Sequence, residues 1–263
     1  MASDKKRSSA AKVAFDSLVE QNSAWQAWIE GAIEFEAVLR NNIPWQQLER
    51  GQKEIVSKRM GAVSPDHQLL ANSFYVTLVA GFEEYLRAAI REFVVSLNAS
   101  GKKPADVGSA VLKCHTKEAA GLLRRVDSPP DYMSINFEDL CRSIGSCVPD
   151  SSRLHLSVEA LAHIESPIKL ENFLARMSDL GVVMNWDKLG SCPKVKVALG
   201  LQEKVGTRDV ANTVQEELLR IARFRNRIAH TGGHAADVSP QIISADAKIL
   251  SSLCGKVDEL INE

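Results

Sequence analysis

The sequence has no glycine-rich loop to cradle a phosphate, no serine nucleophile elbow, no Cys-x-x-Cys pair and no long apolar run. The first two absences leave nucleotide-driven chemistry and serine acyl transfer without support. The longest apolar stretch, around Ser73 to Phe82, is far shorter than a bilayer crossing requires, so no membrane anchor is expected. Charge of one sign is missing as well. The chain sets 32 Lys and Arg against 33 Asp and Glu, a formal net charge of -1. It is therefore no general polyanion binder, and any affinity for nucleic acid must come from a local patch. What is present is ordinary for a globular protein: 263 residues, 45% hydrophobic and 25% charged, enough for one sizeable core or at most two small ones.

Five cysteines, Cys114, Cys141, Cys147, Cys192 and Cys254, are odd in number and widely spread, with no secretory leader ahead of them. They are expected as buried, reduced thiols in a cytoplasmic protein. None stands at zinc-ligand spacing from a histidine, apart from the adjacent Cys114-His115, and no metal or cofactor is expected. His155, His163 and Glu165 do not repeat a ligand spacing and read as surface groups.

Residues 1–9 carry Lys5, Lys6 and Arg7 and are expected as a flexible basic tail. Helical periodicity begins near Ala10 and passes through Phe15, Leu18, Trp25, Trp28, Ile33 and Leu39. A loop at Asn41-Asn42 and Pro44 separates it from a shorter amphipathic piece, Trp45 to Met60, so that residues 10–62 form an N-terminal helical extension. Trp25 and Trp28, at i and i+3, suit core or partner-helix packing better than a platform for bases.

The second unit runs from 63 to 263. Pro65 and Asp66 start a helix expected over His67 to Asn98, whose side bearing Phe74, Leu78, Phe82, Tyr85, Leu86, Ala89 and Phe93 must be central. Glu83 falls on the shoulder of that apolar arc, and Glu84 points away from it. Between Lys102 and Gly200 the breaks at Ser128-Pro129-Pro130-Asp131, Pro149-Asp150, Pro167 and Pro193 predict short helices joined by tight loops. The clearest is a proline-started helix from Pro167 to Gly181; Lys194 to Leu199 alternates briefly, but one strand makes no sheet. Two more helices close the chain. One runs from Asp209 to His230 with Val214, Leu218, Ile221, Ala222, Ile228 and Ala229 inward, and the other follows Pro240. The fold class is all-α.

Arg225-Asn226-Arg227-Ile228-Ala229-His230, with Thr231-Gly232-Gly233 behind it, puts an arginine and a histidine five residues apart at a helix end. Arginine can hold a phosphate, and histidine can move a proton near neutral pH. Asn226, His230 and Arg223 share one side of that helix, whereas Arg225 lies on the apolar stripe and needs a partner, either Glu83 or an RNA phosphate. Arg220, Arg223, Arg225 and Arg227 crowd into the same helix and supply the local basic patch.

Arginine, asparagine, three residues and a histidine late in a helical chain resembles the signature of the HEPN superfamily of nucleases. With Phe82-Glu83-Glu84-Tyr85-Leu86 upstream, the pattern is similar to the RiboL-PSP type, over roughly residues 65 to 263. The resemblance implies a HEPN-like helical bundle acting as a metal-independent endoribonuclease, used as a toxin or in defence against phage. It implies a homodimer whose site is shared between subunits, with a possible antitoxin or defence partner protein. His230 would handle the proton of the ribose 2′-OH or of the leaving 5′-oxygen, and Arg225 the charge growing on the phosphorus. Asn226 would orient either one, Glu83 would anchor Arg225, and Arg220, Arg223 and Arg227 would bind RNA. The alternatives are a catalytically silent HEPN-like module that binds RNA or protein, and a plain helical scaffold in which Arg225 pairs internally and His230 caps the helix.

Overall fold

The computed structural model describes residues 9–42, 50–51, 67–125, 136–231 and 238–263, and for 29, 32–42, 67 and 68 the backbone alone. The expected tail, the amphipathic piece from Trp45 to Met60, the start at Pro65-Asp66 and the glycine pair at 232–233 lie wholly or almost wholly outside these residues. Among the described residues there are ten α helices and no strand, as the all-α reading requires.

In chain order the helices are α1 (Ala10–Asn42), α2 (His67–Ala99), α3 (Ser109–Leu123), α4 (Phe137–Gly145), α5 (Val158–Ala162), α6 (Glu171–Asp179), α7 (Trp186–Gly190), α8 (Pro193–Ala198), α9 (Thr207–Thr231) and α10 (Pro240–Ile261). None of them is long and apolar enough to cross a membrane.

Helix α2 is the axis of the molecule. Tyr75, Leu78, Val79, Phe82, Leu86, Ile90 and Val94 recur at three and four residues, and all are fully buried. α1, α5, α9 and α10 surround it. α1 joins the same core: Phe15 meets the rings of Phe82 and Tyr85 at 6.0 and 6.1 Å. α1 also passes close to Gly81, where a Cβ would displace the tip of the Leu18 side chain. The first turn of α1 is tied down by carboxylates of its neighbours. Ala11 N–H donates to Glu92 at 2.7 Å, and Ser9 N–H donates to Asp258. Trp25 stacks on Phe74 at 5.9 Å, yet Trp25 and Trp28 both remain about half exposed.

One expectation for the middle of the chain needs correction. The helix expected from Pro167 to Gly181 is broken at Leu170. A 3-10 turn, Pro167–Lys169, precedes α6, and Leu170 between them takes a left-handed backbone with φ 62°. Burying Leu170 completely offsets that conformation, whose cost is about 1–2 kcal/mol. Gly181, at φ 89°, ends the segment as expected. Lys194 to Leu199, which alternates in sequence, lies mostly in helix α8, started by Pro193 at its first position. Val195 is buried there while Val197 is exposed, as residues two apart on a helix point to opposite sides instead of sharing one face as in a strand.

The cysteines also divide. All five are free thiols; Cys114, Cys192 and Cys254 are buried, but Cys147 is half-buried and Cys141 exposed, because α4 turns Leu140 and Ser143 inward instead. His115 is wholly buried. Its Nε2 accepts the Ser157 N–H at 2.9 Å, which places the ring proton on Nδ1, 3.2 Å from the Cys147 sulfur.

Candidate active site

Helix α9 begins at Thr207, two residues before Asp209, and runs to Thr231. Its buried residues, Val210, Ala211, Val214, Leu218, Ile221, Ala222 and Ile228, form one stripe against α2, α7 and the 3-10 turn before α6. Ala229, expected on that stripe, is exposed, because the helix end runs past the neighbouring core.

Arg225 emerges from the stripe and meets α2. Its Nη2 donates to Glu83 Oε1 at 2.7 Å, with 28% of the arginine side chain and 13% of the glutamate side chain exposed. The pair uses one nitrogen and one oxygen. The Arg225 Nε is buried and has no hydrogen-bond partner among the described residues. A buried donor left in this way costs about 1–3 kcal/mol, and an acceptor entering beside it would recover that amount.

His230 and Asn226 are exposed on the other side of α9, one turn apart, and Arg223 is exposed next to them. Five residues of helix separate Arg225 from His230 by about 140° around the axis and ~7.5 Å along it. Within one chain the two therefore diverge.

The arginine patch divides in two. Arg220, expected among the RNA-binding cations, is engaged internally: both terminal nitrogens donate to Asp246 of α10 and its Nε donates to Glu217 at 2.7 Å. Arg223 and Arg227 have no carboxylate within ion-pair distance among the described residues; Arg227 lies 5.1 Å above the Phe224 ring. Phe224 in turn packs edge-on against Tyr75 at 5.2 Å.

Asp246 is the principal residue that the sequence reading missed. It is 1% exposed and accepts from Tyr75 Oη at 2.7 Å as well as from Arg220. Burial and the adjacent Asp246 carboxylate push the Tyr75 hydroxyl well above its ordinary range. Burial opposes the Arg220 charge, but hydrogen bonds to Asp246 and Glu217 outweigh it and raise the group. The available signal was spacing: Asp246 stands four residues after Ile242 and seven before Leu253, on the core side of α10.

The other candidates stand elsewhere. His155 Nε2 sits 3.2 Å from Asp139, whereas His163 and Glu165 line a cleft between α3 and α6. No three His, Cys, Asp or Glu side chains among the described residues converge as a metal site would.

A carboxylate-anchored arginine near the end of a late helix thus stands five residues before an exposed histidine. The RiboL-PSP-HEPN family model matches residues 46–263, more than half of the chain. The chain belongs to the RiboL-PSP-HEPN family. Comparison with the curated proteins and with the solved structures gives no match. HEPN domains are generally RNases, and membership supports a nuclease or RNA-binding role in general terms. The matched span starts at residue 46, within the stretch between α1 and α2, so α1 packs into the core from outside the matched residues.

Proposed function

We propose that this HEPN protein is a metal-independent endoribonuclease that cleaves RNA by attack of the substrate's own 2′-OH. The observation that carries the reading is the incomplete Arg225–Glu83 pair. Glu83 holds the guanidinium in place through one nitrogen and leaves a buried Nε–H without an acceptor among the described residues, on the helix whose last turn carries exposed His230. A phosphate oxygen is the acceptor that this donor lacks. In the reaction a histidine takes the 2′-OH proton and the 2′-oxygen attacks phosphorus. The P–O5′ bond then breaks and the leaving oxygen receives a proton. Arg225 stabilises the charge on the non-bridging oxygens, and Asn226 orients phosphate or imidazole. DNA lacks the attacking hydroxyl and is refused.

Because Arg225 and His230 diverge by about 140° within one chain, they address one phosphate most directly when a second copy faces this helix end. We therefore propose a homodimer, joined through the helices bearing Glu83 and His230. Arg223 and Arg227 are the cations free to meet RNA. The cytoplasmic setting, and a role as a toxin or anti-phage effector restrained by an antitoxin or another partner protein, rest on the family resemblance and composition alone.

The test is incubation with RNA in excess chelator, with analysis of the ends formed. The expected products carry a 2′,3′-cyclic phosphate or 3′-phosphate and a 5′-hydroxyl. Products with 5′-phosphates, or activity that appears only when magnesium is restored, would overturn the mechanism. The same divergence favours a second reading if the chain is monomeric: salt-sensitive RNA binding without cleavage, by a catalytically silent module.

A further inference from the structure

Of the arginines that crowd α9, Arg220 and Arg225 are held by carboxylates, and Arg227 is held by an aromatic ring. The distinction matters chemically. A carboxylate orders a guanidinium and neutralises it, whereas a ring orders it while leaving its charge and its N–H donors available. The ring itself is fixed. Phe224 is half-buried and meets Tyr75 edge-on, and Tyr75, fully buried, donates to Asp246, which Arg220 grips from α9. This chain of contacts joins α2, α9 and α10 and ends at one exposed guanidinium. Arg227 lies three residues before His230, and residues so spaced are neighbours on a helix surface, about 5–6 Å between their Cβ atoms.

We propose that Arg227, seated on Phe224, is a stacking shelf for an unpaired RNA base beside the scissile phosphate. This rests on the ribonuclease reading given above and adds how the substrate is placed in register. Guanidinium planes and aromatic rings accept bases whose faces are exposed, and bases locked in a duplex offer no such face. Arg227 is the specificity-determining side chain, and Phe224 and Tyr75 are positioning residues that act through it.

The experiment uses the full chain and two short oligoribonucleotides, one natural and one with an abasic ribose next to the cleaved bond. Binding by fluorescence anisotropy and cleavage are measured for the parent, Arg227→Lys and Phe224→Leu, each with its melting temperature. The parent is expected to prefer the natural strand roughly tenfold in Kd and in KM, with kcat little changed. Arg227→Lys keeps the charge at an exposed position, so folding is preserved, but it loses the planar face and should lose that preference. Phe224→Leu should weaken the preference even where its melting temperature is unchanged. Equal handling of both strands by the parent, or full discrimination by Arg227→Lys, overturns the shelf. If the parent discriminates in binding but never cleaves, the shelf stands and the nuclease reading falls. If it cleaves without discriminating, the nuclease reading stands and the shelf falls. Absence of both binding and cleavage overturns both.

Discussion

Helix α9 is joined to the core by two arginine–carboxylate contacts that differ in completeness. At Arg220 the joint is saturated: Asp246 takes hydrogen bonds on both oxygens, from Arg220 and from Tyr75, and Glu217 takes the remaining Nε–H. At Arg225, among the described residues, a single hydrogen bond to Glu83 is formed and a buried Nε–H is left over. A protein seeking only stability would complete both, since a buried donor without a partner is unfavourable. The incomplete joint lies five residues from the exposed histidine, and the complete one lies ten residues away. The difference teaches that an arginine–carboxylate pair can be closed at one place along a helix and leave a donor over at another.

The comparison breaks most sharply at His230. His230→Ala removes an exposed side chain, so stability should stay within about 0.5 kcal/mol, while RNA cleavage falls by roughly 10²–10⁴-fold. Full cleavage by this variant, measured beside its melting curve, sinks the catalytic reading.

Next comes the saturated joint. Asp246→Ala leaves Tyr75 without its buried acceptor and releases Arg220, so unfolding free energy should fall by about 2–4 kcal/mol, read by urea denaturation. A loss no greater than that of Glu83→Ala would erase the distinction between the joints.

Acid probes a third, titratable contact that is also saturated. Burial pushes the His115 imidazole down to about 4, against an ordinary value of 6.5. Between these values the unfolded chain takes up a proton that the folded chain refuses. Stability is therefore intact above about pH 6.5 and declines as pH falls toward 4, by up to about 3 kcal/mol. The denaturation midpoint should drop from pH 7 to pH 5, and His115→Gln should flatten the decline. His163, also lowered by burial, accounts for a slope that persists.

At the incomplete joint the stability effects are smaller. Glu83→Ala should lower unfolding free energy by about 1–2 kcal/mol, because both partners are partly open to water. Arg225→Lys should hold stability closely and still lose most cleavage, since an ammonium cannot reach Glu83 and a phosphate in one plane. Retention of cleavage by Arg225→Lys would make the arginine a simple point charge. The smallest effect belongs to Arg223→Gln, expected to weaken RNA binding a few-fold and to lower the salt dependence by about one counterion without changing the melting temperature.

Much of this is legible in the sequence. Three- and four-residue spacing placed α2, α9 and α10 to within a residue or two, and the position of Arg225 on an apolar stripe called for a partner, with Glu83 one of two candidates beside an RNA phosphate. The break at Leu170 was not legible, because a leucine in left-handed backbone has no local signal and is held there by burial and by backbone hydrogen bonds to Pro167 and Leu174. The arginine patch was legible as a composition but not as a division of roles, since Asp246 is 26 residues beyond Arg220 and reaches it only through helix packing.

Helix periodicity and turn residues are local properties, so the sequence by itself determined that the chain is helical, where its principal helices run and that Arg225 and His230 stand five residues apart in one short motif. Partnership is a property of distance in space. Only the tertiary structure decided that Asp246 closes one joint, that Glu83 leaves the other open, and that Phe224 supports Arg227. Each depends on side chains brought together by packing α2, α9 and α10 around one core.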